Sequence, residues 1–176
     1  MNNIYEGNLT YLVPIQTKDT SLIIKWRNRE FVRKMFIKQE LITVETHKKW
    51  FETMIETGKA KQFIVYTKNE KRPIGSFFLK NIDKINGEAE YGNFIGEEEY
   101  LGKGYGTDAG KVLVKYAMTV LNLDRVYLRV LKKNKRAINA YKKIGFQMMD
   151  AHELQSEEIV FMMIKREKNS EMNGKI

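Results

Sequence analysis

Hydrophobic and polar residues alternate along some segments of the chain and recur with a helical period along others. Alternation predicts strands at 8–14, 62–67, 74–79, 88–95, 124–131, 147–149 and 159–164. Helical spacing predicts helices at 17–28, from Thr43 to about Gly58, at 107–121 and from Asn134 to Gly145. This order of elements predicts an α+β fold in which a mixed, mainly antiparallel central sheet carries helices on both faces.

Length and composition indicate a globular chain with one domain. The 176 residues contain 43% hydrophobic residues, and we expect a single domain at 1–166 followed by a charged, flexible tail at 167–176. No apolar run reaches the roughly 18 residues of a membrane span, and the first residues lack the layout of a signal peptide. The absence of cysteine excludes disulfides, thiol nucleophiles and cysteine-based zinc sites. We therefore expect a cytoplasmic protein without a metal or membrane partner.

The net charge of +9 suits an anionic partner, such as nucleic acid, a phosphorylated cofactor or a nucleotide-linked substrate. A nucleic-acid interface would need basic residues interleaved with exposed aromatic residues on one face. Here the aromatic residues fall mainly on helical stripes and alternate strand positions, which is typical of a core. We therefore expect no nucleic-acid partner.

Three alternating glycines, Gly102, Gly104 and Gly106, follow a predicted strand and precede a predicted helix. Glycine lets backbone N–H groups approach a ligand closely, and a helix N-terminus adds unpaired N–H groups, so the segment could hold a phosphate. The spacing fits neither a Walker loop nor a Rossmann fingerprint. On this evidence alone, a plain strand-to-helix turn is an equal alternative.

A second segment, from Asn134 to Phe146, has the pattern NxxAxxxYxxxGF. Together with the glycine segment, it resembles the two cofactor motifs of the GNAT superfamily of acetyl-CoA-dependent N-acetyltransferases. The resemblance runs from about residue 88 to 146, with Leu101 in the place of the family's usual Gln or Arg. It implies a GNAT-type fold and an enzyme that uses acetyl-CoA as cosubstrate, without a metal, to acetylate a primary amine by direct attack in a ternary complex.

The resemblance also implies which residues contact the cofactor. The backbone of a splayed strand would follow the pantetheine arm, a loop and helix start would hold the pyrophosphate, and one asparagine would lie near the cofactor. These residues are Asn93, Phe94 and Ile95 on the strand, Gly102, Lys103, Gly104, Tyr105, Gly106 and Thr107 on the loop and helix start, and Asn134.

Catalytic residues follow from the same resemblance. Tyr141 matches the family's tyrosine that protonates the leaving thiolate, although a core aromatic residue is the alternative for this position. Glu90 lies where many members of the RimJ/RimL-like branch carry a glutamate, and Glu88 would share its strand face. Either carboxylate could accept the proton of the amine through a water, or both could belong to a solvated strand edge.

The acceptor side resembles the nucleotide-amino-sugar acetyltransferases of the pseudaminic-acid pathway. In that resemblance, Arg27 and His47 match residues of the substrate-nucleotide site, whereas a buried core histidine is the alternative for His47. A nucleotide-linked amino sugar is therefore the favoured acceptor. The N-terminus of a ribosomal protein and a polyamine are alternatives, as are a nucleic-acid-binding module and a non-catalytic acetyl-CoA sensor. The sequence is also compatible with a homodimer.

Overall fold

A computed structural model describes residues 5–149 and 158–167. Most of the tail predicted at 167–176 lies outside the described residues. The helices are α1 (Thr20–Asn28), α2 (Glu30–Arg33), α3 (Val44–Trp50, continued by a π-helical turn at Phe51–Ile55), α4 (Tyr105–Thr119) and α5 (Lys135–Ile144). The strands are β1 (Tyr5–Glu6), β2 (Thr10–Pro14), β3 (Lys61–Thr67), β4 (Pro73–Asp83), β5 (Glu88–Ile95), β6 (Arg125–Leu131), β7 (Gln147–Met148) and β8 (Ile159–Lys165).

The strands form one sheet in the order β1-β2-β3-β4-β5-β6-β8-β7. Every neighbouring pair is antiparallel except β5 and β6. That parallel pairing covers only Glu88–Glu90 opposite Arg125–Tyr127, after which both strands continue without pairing to each other. β5 remains paired with β4 as far as Ile95, and β6 remains paired with β8. The two central strands therefore splay apart, as the family resemblance implies.

Each face of the sheet carries its own hydrophobic cluster. Phe63, Val65 and Tyr91 face α4 and α5 in the larger cluster, whereas Ile64 and Phe94 belong to a smaller cluster with α1 and α2. Neighbouring strand residues enter opposite clusters because side chains alternate across a strand. The predicted α+β architecture with helices on both faces is confirmed.

Local signals predicted several element ends correctly. The Thr43 hydroxyl accepts a hydrogen bond from Thr46 N at 3.2 Å, and Asn134 Oδ1 accepts one from Ala137 N at 3.2 Å, so both residues cap helices. Gly145 ends α5 in a left-handed conformation with φ of 118°. Such caps involve residues three or four positions apart, which is why the sequence alone reveals them.

Other details differ from the prediction. α4 begins at Tyr105 rather than at residue 107, because Gly104, with φ of 89°, turns the chain directly into the helix. Tyr105 and Gly106 therefore lie in the first helical turn instead of the loop. The irregular stretch after α1 contains the short helix α2, and the edge strand β1 has no counterpart in the prediction. A two-residue strand is too short to show an alternating pattern.

Candidate active site

A cleft of about 1140 Å³ opens where β5 and β6 diverge. Its walls come from both faces of the sheet, since Asn93 and Tyr141 lie on the side of α5 and Arg27 and Phe78 lie on the side of α1 and α3. Eleven residues predicted from the sequence line this cleft. They are Arg27, Glu90, Asn93, Phe94, Ile95, Gly102, Gly104, Gly106, Thr107, Asn134 and Tyr141. Lys103, Tyr105, His47 and Glu88 are not part of its lining.

The glycine segment leaves open space at one end of the cleft. Gly102 and Gly104 have φ of 73° and 89°, conformations that residues with a side chain rarely adopt. A Cβ atom at Gly102 would meet nothing within 4 Å, and at Gly106 only Ile95 Cγ1, at 3.9 Å. The first turn of α4, whose N–H groups have no partner within the helix, includes Gly106 and Thr107 of the cleft lining. These features fit the pyrophosphate of acetyl-CoA, which is anionic and needs close approach to the backbone.

Lys103 and Tyr105 do not line the cleft, although their backbone belongs to the same loop and helix start. The ring of Tyr105 packs edge-on against Tyr100, with 5.3 Å between the ring centroids. We expect any contact of these two residues with a cofactor to come from their backbone N–H groups. Alternating glycines are consistent with this arrangement, because only they present the backbone without a side chain on the cleft side.

Tyr141 lies on α5 with its ring in the larger cluster and its hydroxyl at the cleft. The hydroxyl donates to Asn93 Oδ1 at 2.8 Å. Burial raises the pKa of the Tyr141 hydroxyl well above its ordinary value of 10, so the group keeps its proton at neutral pH. The ring of Tyr141 is therefore a core aromatic, as one alternative expected, and the role of its hydroxyl as an acid stays a prediction.

Glu90 lies in the cleft and is only 5% exposed. Its Oε1 atom accepts from Arg129 Nη2 at 3.0 Å and lies 3.4 Å from Lys80 Nζ, while its Oε2 atom accepts from Asn81 Nδ2 at 3.1 Å. A carboxylate that serves as a base needs a free lone pair near the amine. Arg129 and Lys80 hold Oε1, whereas Oε2 has one donor, Asn81 Nδ2, and keeps a free lone pair. The role of Glu90 as a base therefore stays a prediction.

Glu88 does not share the cleft with Glu90, although the two are on the same face of β5. Its Oε2 atom accepts from Arg125 Nε at 2.6 Å, across the short parallel pairing with β6. The two strands are still joined at this level, so no cleft opens beside Glu88. Glu88 is therefore not part of the cleft lining, which does not support its role as a base, and that role stays a prediction.

Arg27 and His47 meet at a smaller pocket of about 230 Å³ whose lining overlaps with that of the cleft. Arg27 is 7% exposed; its Nη2 atom donates to Lys38 O at 2.8 Å and its guanidinium carbon lies 3.5 Å from the centroid of the Phe36 ring. Its Nη1 atom is buried without a hydrogen-bond partner among the described residues. Burial lowers the pKa of Arg27 to about 10, so the guanidinium stays charged at neutral pH.

His47 is 3% exposed and has one occupied and one free ring nitrogen. Its Nδ1 atom lies 3.2 Å from Thr20 Oγ1, and its Nε2 atom has no partner within the described ranges 5–149 and 158–167. Burial lowers the pKa of His47, which favours the neutral ring. The structure thus brings Arg27 and His47 together at one pocket with an unsatisfied nitrogen on each.

Sequence reasoning missed the cations that surround Glu90. Lys80 is on β4 and Arg129 is on β6, and both line the cleft beside it. The alternation of β6 indicated that Arg129 would lie on a polar strand face. It could not indicate which strand would lie beside β6, because that depends on the order of strands in the sheet.

Metal-site and membrane-spanning features are absent from the part of the chain that the structure describes. Within residues 5–149 and 158–167, no three His, Asp or Glu side chains are grouped as a metal site would require. None of the helices in the same ranges has the length and apolarity to cross a membrane.

Comparisons with known proteins agree with the cofactor motifs. Residues 10–147 match a family model described as Acetyltransferase (GNAT) domain. A spermidine N(1)-acetyltransferase of Escherichia coli (strain K12) is 30% identical over 137 residues, which cover 78% of this chain and 72% of the relative. A spermidine N-acetyltransferase of Vibrio cholerae, solved with CoA and spermine, has a TM-score of 0.78 at 22% identity and covers 89% of this chain and 95% of its own.

A domain from Methanocaldococcus jannaschii DSM 2661 has a TM-score of 0.77 at 21% identity, over 89% of this chain and 98% of that domain. At these low identities, the two solved structures support the fold alone. The two spermidine acetyltransferases support neither the RimJ/RimL-like branch nor the amino-sugar enzymes, so these finer resemblances stay predictions. The family model, in contrast, spans most of the chain and includes the splayed strands and the glycine segment. The chain therefore belongs to the GNAT family of acetyl-CoA-dependent N-acetyltransferases.

Proposed function

We propose that the cleft binds acetyl-CoA along β5 and the glycine segment and transfers the acetyl group directly to a primary amine. The observation that carries this proposal is the divergence of β5 and β6, which opens the sheet so that both faces line one cleft. A thioester held between the strands can meet an amine that enters from the side of α1 and α3. No covalent acetyl-enzyme is needed, since both reactants fit in the same cleft.

The proposed reaction proceeds in two steps. The amine nitrogen attacks the thioester carbonyl, and the oxyanion that forms can accept from a backbone N–H on the edge of β5 that β6 leaves free. The C–S bond then breaks, the sulfur keeps the electron pair, and the Tyr141 hydroxyl supplies the proton. We assign removal of the amine proton to a water in the cleft, which passes the proton to the free lone pair on Glu90 Oε2.

Two observations point to different acceptors. The spermidine N(1)-acetyltransferase of Escherichia coli, which is 30% identical to this chain, supports a polyamine. The charge of the cleft supports an amine that also carries an anionic group. Its acidic lining residues are Glu40 and Glu90, and Glu90 is already paired with Lys80 and Arg129. The basic lining residues are Arg27, Lys38, Lys80, Arg129, Arg136 and Lys143.

The site itself favours the anionic acceptor. A polyamine is a chain of cations and would gain little in a cleft with this excess of positive charge. Arg27 Nη1 and His47 Nε2 are unpaired but buried at the smaller pocket, so a phosphate would accept from Arg27 Nη1 only after the lining side chains move. We therefore propose an amine on a small phosphorylated molecule, of which a nucleotide-linked amino sugar is the favoured example, and keep a polyamine as the second candidate.

The acceptor is tested by measuring release of free CoA thiol with a panel containing spermidine, a peptide N-terminus and a nucleotide-linked amino sugar. Arg27→Met retains much of the side-chain stem that packs on Phe36 but removes the guanidinium. We expect it to raise KM for a phosphorylated acceptor roughly ten- to a hundredfold and to leave KM for acetyl-CoA nearly unchanged. If spermidine is the best acceptor and its KM is insensitive to Arg27→Met, the polyamine candidate replaces the anionic one.

The role of Tyr141 has its own test. Tyr141→Phe keeps the ring in the core and removes only the hydroxyl, so we expect kcat to fall by roughly 10²–10⁴-fold while the affinity for CoA changes little. Calorimetry with CoA measures the affinity separately from turnover. A variant with a kcat within about a factor of two of the wild type would refute the acid role, whereas a non-catalytic sensor would show no turnover in either protein.

A further inference from the structure

The hydrogen bond between Tyr141 and Asn93 raises a question about how the tyrosine can act. The hydroxyl donates to Asn93 Oδ1 at 2.8 Å, so its proton is directed at the asparagine. An acid must turn this proton towards the sulfur of the leaving group and then exist as a phenolate. In the resting enzyme, this hydrogen bond holds the hydroxyl in place at the cleft. When the proton leaves, Asn93 Oδ1 no longer has a donor, and the phenolate needs one.

The surroundings of Tyr141 offer little else to stabilise a phenolate. Its ring packs edge-on against Tyr91 and Phe146, with centroid distances of 5.8 and 6.0 Å. The raised pKa of Tyr141 comes from burial, with no charged group as a cause. No ion pair or second hydrogen bond of the described residues involves its hydroxyl. A phenolate here therefore needs a hydrogen-bond donor from a neighbouring side chain.

Asn93 is placed to be that donor. It lies on β5 opposite Phe77 of β4, beyond the last contact of β5 with β6, so no strand covers its other side. Its Nδ2 atom makes no hydrogen bond to any residue in 5–149 or 158–167. A carboxamide is neutral, accepts through its oxygen and donates through its nitrogen. One rotation of its terminal torsion therefore exchanges an acceptor for a donor at the same position.

We propose that Asn93 is a positioning residue that serves both protonation states of Tyr141. In the resting enzyme, Asn93 Oδ1 accepts from the phenol and fixes the hydroxyl at the cleft. When the C–S bond breaks, the Tyr141 proton moves to the sulfur, the carboxamide turns over, and Nδ2 donates to the phenolate. A solvent proton then returns to Tyr141, and the original hydrogen bond reforms. The inference rests on the proposed acid role of Tyr141.

A double-mutant cycle separates the two ideas. Asn93→Leu removes both functions of the carboxamide at similar size, and we expect kcat to fall roughly ten- to a hundredfold with KM for acetyl-CoA within about a factor of two. In a Tyr141→Phe background, the same change should have no further effect on kcat, because Asn93 acts through the hydroxyl. Equal fold losses in both backgrounds, or an unchanged kcat for Asn93→Leu alone, would overturn the inference.

A second variant tests the donor half of the proposal and guards against misfolding. Asn93→Asp keeps an acceptor for the phenol but cannot donate to a phenolate, so its kcat should be at least as low as that of Asn93→Leu. A wild-type kcat for Asn93→Asp would show that donation by Nδ2 is not needed. The proposed function fails separately, since only a normal kcat for Tyr141→Phe alone removes the acid role itself. Circular dichroism and calorimetry with CoA confirm that each variant is folded and binds the cofactor.

Discussion

Gly106 and Gly110 are one helical turn apart on α4 but have opposite surroundings. A Cβ atom at Gly106 would enter the open space of the cleft, with Ile95 Cγ1 at 3.9 Å as its nearest neighbour. At Gly110 it would overlap with Ile144 Cδ1 and lie 2.9 Å from the Tyr91 hydroxyl, at the contact between α4 and α5. The same substitution, glycine to alanine, should therefore affect cofactor binding at one position and folding at the other.

The expected magnitudes follow from these distances. Alanine is favoured over glycine in a helix by up to about 1 kcal/mol, so Gly106→Ala should stabilise the free protein and raise Tm by roughly 2–4 °C. Overpacking a core costs about 1–3 kcal/mol, so Gly110→Ala should be neutral or destabilised by up to about 2 kcal/mol after the helical gain. At the glycine segment, the new methyl group of Gly106→Ala would occupy space next to the proposed pyrophosphate site. It should raise KM for acetyl-CoA by at least roughly tenfold, or about 1.4 kcal/mol.

Thermal unfolding with and without CoA measures both effects in one experiment. The shift of Tm that CoA produces should shrink strongly in Gly106→Ala and persist in Gly110→Ala, whose own Tm is unchanged or lower. Gly110→Ala is thus the matched control for an added methyl group on the same helix. If Gly106→Ala is stable and retains the full CoA-induced shift and a normal KM, the N-terminus of α4 does not hold the pyrophosphate and the assignment is wrong.

Three further predictions concern stability. Tyr91→Phe removes a buried hydroxyl that has no partner among the described residues, so urea unfolding should show equal or greater stability, by up to about 1–3 kcal/mol; a clear loss would reveal a missing partner. Burial lowers the pKa of His47 below 6.5, so stability should fall as pH drops below 6.5, where the unfolded state takes up a proton that the folded state resists. His47→Leu should weaken this dependence of stability on pH, and an unchanged dependence would mean that other groups cause it. Asp108 accepts hydrogen bonds from Asn8 N, Leu9 N and Thr10 N at 2.9–3.0 Å. Asp108→Asn should therefore lower the free energy of unfolding in urea by roughly 1.5–3 kcal/mol. An unchanged value would show that the amide makes equivalent hydrogen bonds.

Much of the fold and of the cofactor site could be predicted from the sequence because its signals are local. The positive φ angles of Gly102 and Gly104, the cap at Asn134 and the stop at Gly145 each depend on a few neighbouring residues. Alternation also predicted the strand at 88–95, in which the structure places Tyr91 and Phe94 in different clusters on the two faces of the sheet. The two long motifs then indicated the family. The resemblance implies that backbone groups, more than particular side chains, hold the cofactor in that family.

The acceptor side could not be predicted in the same way because its properties arise between distant segments. The two cations that contact Glu90, Lys80 and Arg129, reach it from different strands. The partner of the Tyr141 hydroxyl, Asn93, is 48 positions away in the chain. The periodicity of hydrophobic residues in a sequence does not indicate which side chains meet across a sheet.

The sequence by itself therefore determined most of the elements and their order, the position of the glycine segment and the residue types available for catalysis. Only the tertiary structure decided that β5 and β6 part after Glu90, that Glu88 stays outside the cleft, and that Arg27 and His47 share a pocket with unsatisfied nitrogens. The physical reason is that local backbone preferences act over a few residues. Hydrogen bonding and the charge of a site, in contrast, depend on groups that come together only when the sheet and helices have packed.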